Sequence, residues 1–279
     1  HHGASNYVLP NERLDEVLSA FYTKISTPVL TDLSLDFGDI TAYDIYPSPL
    51  PDLFVGSQIV VVGRYRHGST TTVTLSGKIN QETQTFKFPE QVFAGDSRAA
   101  SDALQALPRL WATRKVGHLL NQIRLHGADQ ETIDQIVRLS VRYGIVTPYT
   151  SYLVTEPQPL GSEGMQRIAA DQYNQMQAMP TAMSYGQAAV EKAAEQGYMS
   201  QAQEVPAPPA EAADVVKILA SRTFIYQNGV WIDTAFDPDS MKTVPVPFLS
   251  ADYFSLTKAR PELADAFALG ERVIALSLI

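Results

Sequence analysis

The sequence contains no cysteine, which excludes disulfide staples, thiolate metal sites and cysteine nucleophiles together. Charge is scarce as well. Asp, Glu, Lys and Arg make up 18% of the chain, against about 25% in ordinary globular proteins, so Gln, Ser, Thr and Asn must supply much of the surface. Positive charge is the scarcer sign: 21 Lys and Arg stand against 30 Asp and Glu, for a formal charge of -9 and a pI near 5.0. That balance argues against nucleic acid as a partner, because affinity for a phosphate backbone comes from clustered Lys and Arg releasing counterions. No apolar run approaches the roughly 18 residues of a membrane-spanning helix; the longest, Ile59 to Gly63, has the length of a strand. The chain opens on His1-His2-Gly3 with neither an initiator Met nor a signal peptide, and the natural N-terminus is expected to lie further upstream.

What is present is a chain of 279 residues, 45% of them hydrophobic, long enough for two or three units at roughly 100 to 200 residues per domain. Its texture changes four times and shows no internal repeat. In residues 1–27, Leu14, Val17, Leu18, Phe21, Tyr22 and Ile25 recur at helical spacing behind Asn11 as N-cap, after a short strand around Tyr7 to Leu9. Residues 28–96 turn to β pattern in VLTDLSLDF, QIVVVGRY, TTTVTLSGKI and TQTFKF, broken by Phe37-Gly38-Asp39, Pro47-Ser48-Pro49 and Arg66-His67-Gly68-Ser69. About six short strands predict a small antiparallel β-sandwich.

Residues 97–156 read as helical, with Leu104, Leu107, Leu110, Trp111, Val116, Leu119, Leu120 and Ile123 in near-helical register. After Gly127, Asp129 caps a second helix bearing Ile133, Ile136, Val137, Leu139 and Val141. This segment is expected to pack on the sandwich, with Trp111 beneath it. Residues 157–213, rich in Gln, Ala, Met and Pro, read as a linker: Met165 to Met199 as weakly amphipathic helix or coil, VPAPPAEAA as an extended spacer. Residues 214–279 predict a small C-terminal α+β unit with a hairpin at Gln227-Asn228-Gly229, a helix pair and a final strand-like run. The fold class is α+β.

Chemistry-bearing motifs are missing. There is no G-x-S-x-G elbow, Walker loop or Rossmann fingerprint, and Gly161-Ser162-Glu163-Gly164 has linker texture. His118 and His126 are eight apart, where a metal pair on a helix wants i, i+4 as in H-E-x-x-H; they read as packing or capping residues, and His67 as a solvated turn residue. Asp32, Asp36, Asp39 and Asp44 are spread by strand alternation over surfaces and loops rather than focused as a catalytic pair. Arg114, Lys115, Arg124, Arg138 and Arg142 form the one basic concentration, Arg138 and Arg142 sharing a helix face. They suit either an acidic partner or internal ion pairs, the latter being the plainer reading. No catalytic, cofactor-binding or metal-binding residue is assigned.

Three stretches carry a resemblance. SAFYTKISTPVLTDLSLDF, followed by YPSPLPDLFVGSQIVVVGRY, resembles the passage that leaves the von Willebrand A domain in proteins that combine a VIT domain with that A domain. LWATRKVGHLLNQIRLHG with IVRLSVRYGIVTPYTSYLV is the more specific match, through its Trp-Ala helix and its Tyr-Gly-Ile-Val-Thr-Pro-Tyr-Thr turn. The family is that of the inter-α-trypsin inhibitor heavy chains and their bacterial homologues, and the resemblance covers roughly residues 1 to 156. TFIYQNGVWIDTAFDP and FLSADYFSLTKARPELADAFALGERV are similar to the tails of bacterial members, less specifically.

The resemblance implies that residues 1–27 are the last strand and helix of an A-like domain and that the sandwich flanks it. It implies a VIT/A-domain segment of the same polypeptide as partner, joined or as a separate chain, and a protein or matrix ligand. A divalent cation is implied only in that upstream A domain. Its metal motif, Asp-x-Ser-x-Ser, is absent: Asp32-Leu33-Ser34-Leu35-Asp36 lacks the second serine. Asp237-Pro238-Asp239-Ser240 departs after two residues from the Asp-Pro-His-Phe cross-linking sequence, so covalent transfer to glycosaminoglycan is not carried over. The expected function is a non-enzymatic binding or scaffolding fragment of an exported adhesion-like protein, extracellular or in a bacterial envelope. The alternative is a homo-oligomeric structural subunit of a surface assembly or filament.

Overall fold

The computed structural model describes residues 8, 12–25, 28–95, 106–150, 161–178, 187–204 and 212–277. The protein is mixed α+β and divides into two units, His1–Asn121 with Thr181–Val205 and Gln122–Pro180 with Pro206–Ile279.

Unit one begins with α1 (Leu14–Ile25). Of the strand expected around Tyr7 to Leu9 only Val8 is described, and it is irregular; Asn11 lies outside the described residues. Strands β1 (Pro28–Asp36), β3 (Leu53–Phe54), β5 (Ser69–Ile79) and β6 (Glu82–Phe93) form an antiparallel sheet in the order β3-β1-β5-β6, and β2 (Ala42–Tyr46) pairs with β4 (Val62–Tyr65) in a second, two-stranded one. The β5–β6 hairpin turns on Asn80 and Gln81, both at positive φ (49° and 70°), the conformation that matches strand twist in a two-residue loop. Three other residues at positive φ, Asp32, Asp44 and Glu90, sit in strands where the pairing register slips, between Thr31 and Ser34, between Tyr43 and Tyr46, and opposite Thr71 to Val73. Each is a bulge, and Asp is among the few non-glycine residues that accept that conformation readily.

The helix over α2 (Leu107–His126) belongs to unit one as far as Asn121. Residues 111, 114, 115 and 118 fall at i, i+3, i+4 and i+7, one face of a helix, and this face meets β2. Trp111 is buried and donates its indole Nε1–H to the Asp44 carbonyl at 3.0 Å. Helix α5 (Gln187–Gln201) comes against α2 at Gly117, where a Cβ would collide with the Ser200 backbone and stand 2.8 Å from the Met199 carbonyl carbon. Only glycine permits that approach.

In unit two, α3 (Gln130–Tyr143) starts at Asp129, whose carboxylate accepts from the Thr132 N–H at 2.9 Å. It ends at Gly144 with φ 61° and ψ 38°, the left-handed C-cap. Gly144 is required twice over, since a Cβ there would also press to 2.9 Å on Thr223. Ile133, Ile136, Val137 and Val141 are fully buried along one face. The stretch expected as a linker carries two helices, α4 (Ser162–Ala178) and α5. Gly164 and Ala169 are buried and α4 packs on α3; small residues that look like spacer composition serve as a close helix-helix contact. Strands β7 (Val216–Leu219), β8 (Arg222–Gln227) and β9 (Val230–Asp233) make an antiparallel meander, with β10 (Val273–Ile274) parallel to β9. The β8–β9 turn is Asn228-Gly229, both at positive φ. Before β10 come α6 (Ala251–Ala259), capped by Ser250, a 3-10 turn at Pro261–Leu263 and α7 (Ala264–Phe267).

Asp233 holds this sheet to its surroundings. Its side chain is 2% exposed and takes two bonds from Arg222, Nη2 at 2.6 Å and Nε at 2.9 Å, with Arg142 at 3.6 Å. Arg222 also donates to the carbonyls of Leu276 and Glu262. Removing one member of a buried ion pair strands the other, at about 3 to 5 kcal/mol. Asp233→Ala should therefore destabilise unit two by about that amount in urea unfolding followed through Trp231. Trp111→Ala is expected to cost about 3 to 5 kcal/mol in unit one, read by amide exchange across β2 and α2; a loss below about 1 kcal/mol would mean that the indole contributes little to packing.

Candidate interaction surface

The residues singled out as acids and bases in the sequence are mostly used up by the fold. Asp32 pairs with Lys78 at 2.9 Å and Asp44 with Lys115 at 2.9 Å, both from bulge positions. Asp36 accepts from the Gly38 N–H, while Asp39 is exposed. Arg138 pairs with Asp134 one turn earlier, and Arg142 approaches Asp233. His126 and His67 are exposed. Among the described residues no three ligand-type side chains cluster as a metal would require. An open cleft between α3 and α4, lined by Gln130, Glu131, Asp134, Gln166 and Ala169, sets no base beside a nucleophile.

Arg114 is the exception to ion pairing. It is 2% exposed, yet its guanidinium meets main-chain carbonyls: Nε to Ala202 at 2.7 Å, Nη1 to Tyr46 at 3.3 Å and to Val60. Burial pulls its pKa below the ordinary arginine value. One side chain thus joins β2, the segment before β4 and the end of α5. The neighbouring Tyr46 phenol is pushed up to about 12 by burial and then by the Asp44 charge.

His118 sits one turn beyond Arg114, partly buried, its ring 5.3 Å from that of Tyr46. Desolvation first, and the Lys115 charge second, hold its pKa below the usual 6.5. The unfolded chain therefore binds a proton near pH 6.5 that the folded unit refuses until the pH is lower. Stability is full above that value and is lost as pH falls through it. Across about pH 7 to pH 5, the melting temperature reported by Trp111 should fall more steeply for the native chain than for His118→Gln; equal slopes would remove His118 as the cause.

Unit one leaves surface open in several places, among them α1 and the end of β4. On α1, Leu14, Leu18 and Tyr22 fall at i, i+4 and i+8 and are 57%, 52% and 71% exposed. Arg64 on β4 and Arg66 just past its end are exposed, as is Tyr43, the residue paired across the ladder from Arg64. The Arg64 guanidinium lies 5.3 Å over the Tyr43 ring and 5.1 Å over Trp111. Sequence reading passed over Arg64 because it closes the apolar run QIVVVGRY; the signal available was the i, i+2 spacing with Arg66, which marks one side of a strand.

An α+β protein of two units, with buried polar ties and uncovered surface in the first, is what the fold and its side chains define. Its sequence relationships are specific: the chain is related to the inter-alpha-trypsin inhibitor heavy chains. It is 28% identical over 197 residues to heavy chain H3 of Homo sapiens, covering 66% of this chain and 22% of the relative. Heavy chain H4 of Homo sapiens is 31% identical over 147 residues, 50% and 16% of the two chains, and heavy chain H3 of Mus musculus 26% over 201 residues, 66% and 21%. The chain thus spans about a fifth of the length of the curated relatives it matches. No protein-family model and no solved structure matches it. Among the described residues no helix is long and apolar enough to cross a membrane.

Proposed function

We propose that the chain is a non-enzymatic binding and scaffolding portion of an exported protein of the heavy-chain type, outside the cell or in a bacterial envelope. In this reading α1 closes an A-like domain, the strands of residues 28–96 form a sandwich flanking it, and a VIT/A-domain segment of the same polypeptide is the immediate partner. The observation that carries the reading is the open stripe of Leu14, Leu18 and Tyr22. Burial of side chains of this kind is worth about 1.5 to 3 kcal/mol each, a large part of the stability of a domain that has only about 5 to 15 kcal/mol in all. Relatives roughly three times as long, as the coverage of 66% of this chain against 22% of the relative implies, supply the chain length from which a cover would come.

The test is amide exchange on the chain alone and on the chain carrying its upstream segment. Leu14 to Ile25 should exchange as an open helix in the first and gain at least about a hundredfold protection in the second, the equivalent of roughly 3 kcal/mol. Strong protection in the isolated monomer would sink the reading, because α1 would then be covered by its own unit.

A further inference from the structure

We infer that the outer edge of β4 is a docking site for an extended acidic polypeptide segment, which adds to the β2–β4 ladder as a third strand and is held by Arg64 and Arg66. The inference rests on the binding-module reading above and names a partner chemistry for it, at a surface other than α1.

The first ground is the open edge. Among the described residues the β2–β4 sheet has two strands, so each has one edge without a strand partner. On β2 the Asp44 and Tyr46 carbonyls are taken by Trp111 and Arg114. β4 has no second strand partner among the described residues, and Gly63, Arg64 and Tyr65 are exposed. The ladder continues one residue further, Arg66 N–H donating to the Thr41 carbonyl at 3.3 Å. Exposed edges of this kind are ordinarily blunted by a bulge, a proline or cover. Here the bulge of the pair lies on β2, at Asp44, rather than on β4.

The second ground is charge. In a chain of net charge -9, Lys78, Lys115, Arg138 and Arg222 each have a carboxylate within 4.0 Å. Arg64 and Arg66 have none among the described residues. Arg64 is also held in place, its guanidinium 5.3 Å and 5.1 Å from the Tyr43 and Trp111 ring centroids, which removes part of the entropy an arginine loses on binding. A planar fork presented this way suits a carboxylate. Backbone pairing selects a polypeptide over a polysaccharide, and the two arginines select acidic side chains on it.

Trp111 supplies the readout, since a carboxylate drawn to Arg64 alters the indole beneath it, and Trp231, the chain's other tryptophan, is replaced by Phe to leave one signal. The full chain is titrated with a blocked peptide of alternating Glu and Val, the same peptide N-methylated on alternate amides, a Lys-for-Glu version, and dextran sulfate. The acidic peptide should bind and shift Trp111 emission; N-methylation and Lys replacement should each abolish binding. Arg66→Glu, at an exposed side chain with no hydrogen bond or ion pair among the described residues, should weaken it about tenfold, and Arg64→Gln with Arg66→Gln at least as much, with an unchanged unfolding midpoint showing that unit one is intact. Absence of binding overturns the proposal, as does affinity indifferent to N-methylation or to Arg66→Glu. Binding of dextran sulfate without the peptide would make the patch a polyanion site and overturn it equally. None of these outcomes touches α1, so the exchange experiment above succeeds or fails separately.

Discussion

Unit one depends on a buried positive charge, Arg114, that no carboxylate among the described residues answers. Arg114 gives its N–H groups to the carbonyls of Tyr46, Val60 and Ala202, three main-chain sites that would otherwise have to find partners of their own. A guanidinium is suited to this because its planar fork remains charged when desolvated and its donors diverge. Lysine in its place would offer one compact head where three directions are needed, and a methionine would leave the carbonyls stranded. The neighbouring contacts are arranged around it: Gly117 lets the end of α5 come close enough for the Ala202 bond, Trp111 and Lys115 engage Asp44, and His118 closes the face against Tyr46.

Much of the secondary structure was legible because local chemistry decided it. The second helix of the 97–156 segment shows cap at Asp129, apolar face and Gly144 stop where the residues place them, and the Asn228-Gly229 turn follows from the demand for positive φ at both positions. Asn80-Gln81 has the same geometry without a glycine, and only the break between strands could be read there. Within 157–213, Met165 to Met199 was readable as weakly amphipathic helix or coil, and α4 and α5 lie there; that α4 packs on α3 was not readable, because Ala and Gly lower the apolar signal while allowing helices to approach. That two sheets divide unit one's strands depends on long-range pairing, which alternation does not encode.

The candidate residues were legible as types and not as partners. Asp32 and Asp44 look like loose carboxylates in sequence, yet each occupies a bulge and answers a lysine far along the chain, Lys78 and Lys115. Arg114 belonged to the basic concentration, but that it faces carbonyls could not be known before β2 and α5 were in place. Asp233, the most consequential acid of unit two, sits in the run VWID with nothing local to mark it. The relationship to the heavy chains was carried by larger blocks, above all the segment from Tyr143 to Thr150. There Gly144 caps the helix and Thr150 closes the turn on Thr147 and Ile145.

The separation in sequence of the Arg114 contacts bears on synthesis. Ala202 lies 88 residues after Arg114, and unit one is interrupted by Gln122–Pro180, which belongs to unit two. A ribosome makes the strands and α2 first, and they must wait for the last turn of α5 before the guanidinium can be fully satisfied. Unit two is in the same position, its first helices emerging well before the meander that contains Asp233. At about 5 to 20 residues per second the delay is several seconds. During it, both halves carry polar groups that can be hydrated but not yet buried, so a chain cut anywhere between α2 and α5 would leave two incomplete bodies instead of one finished and one missing.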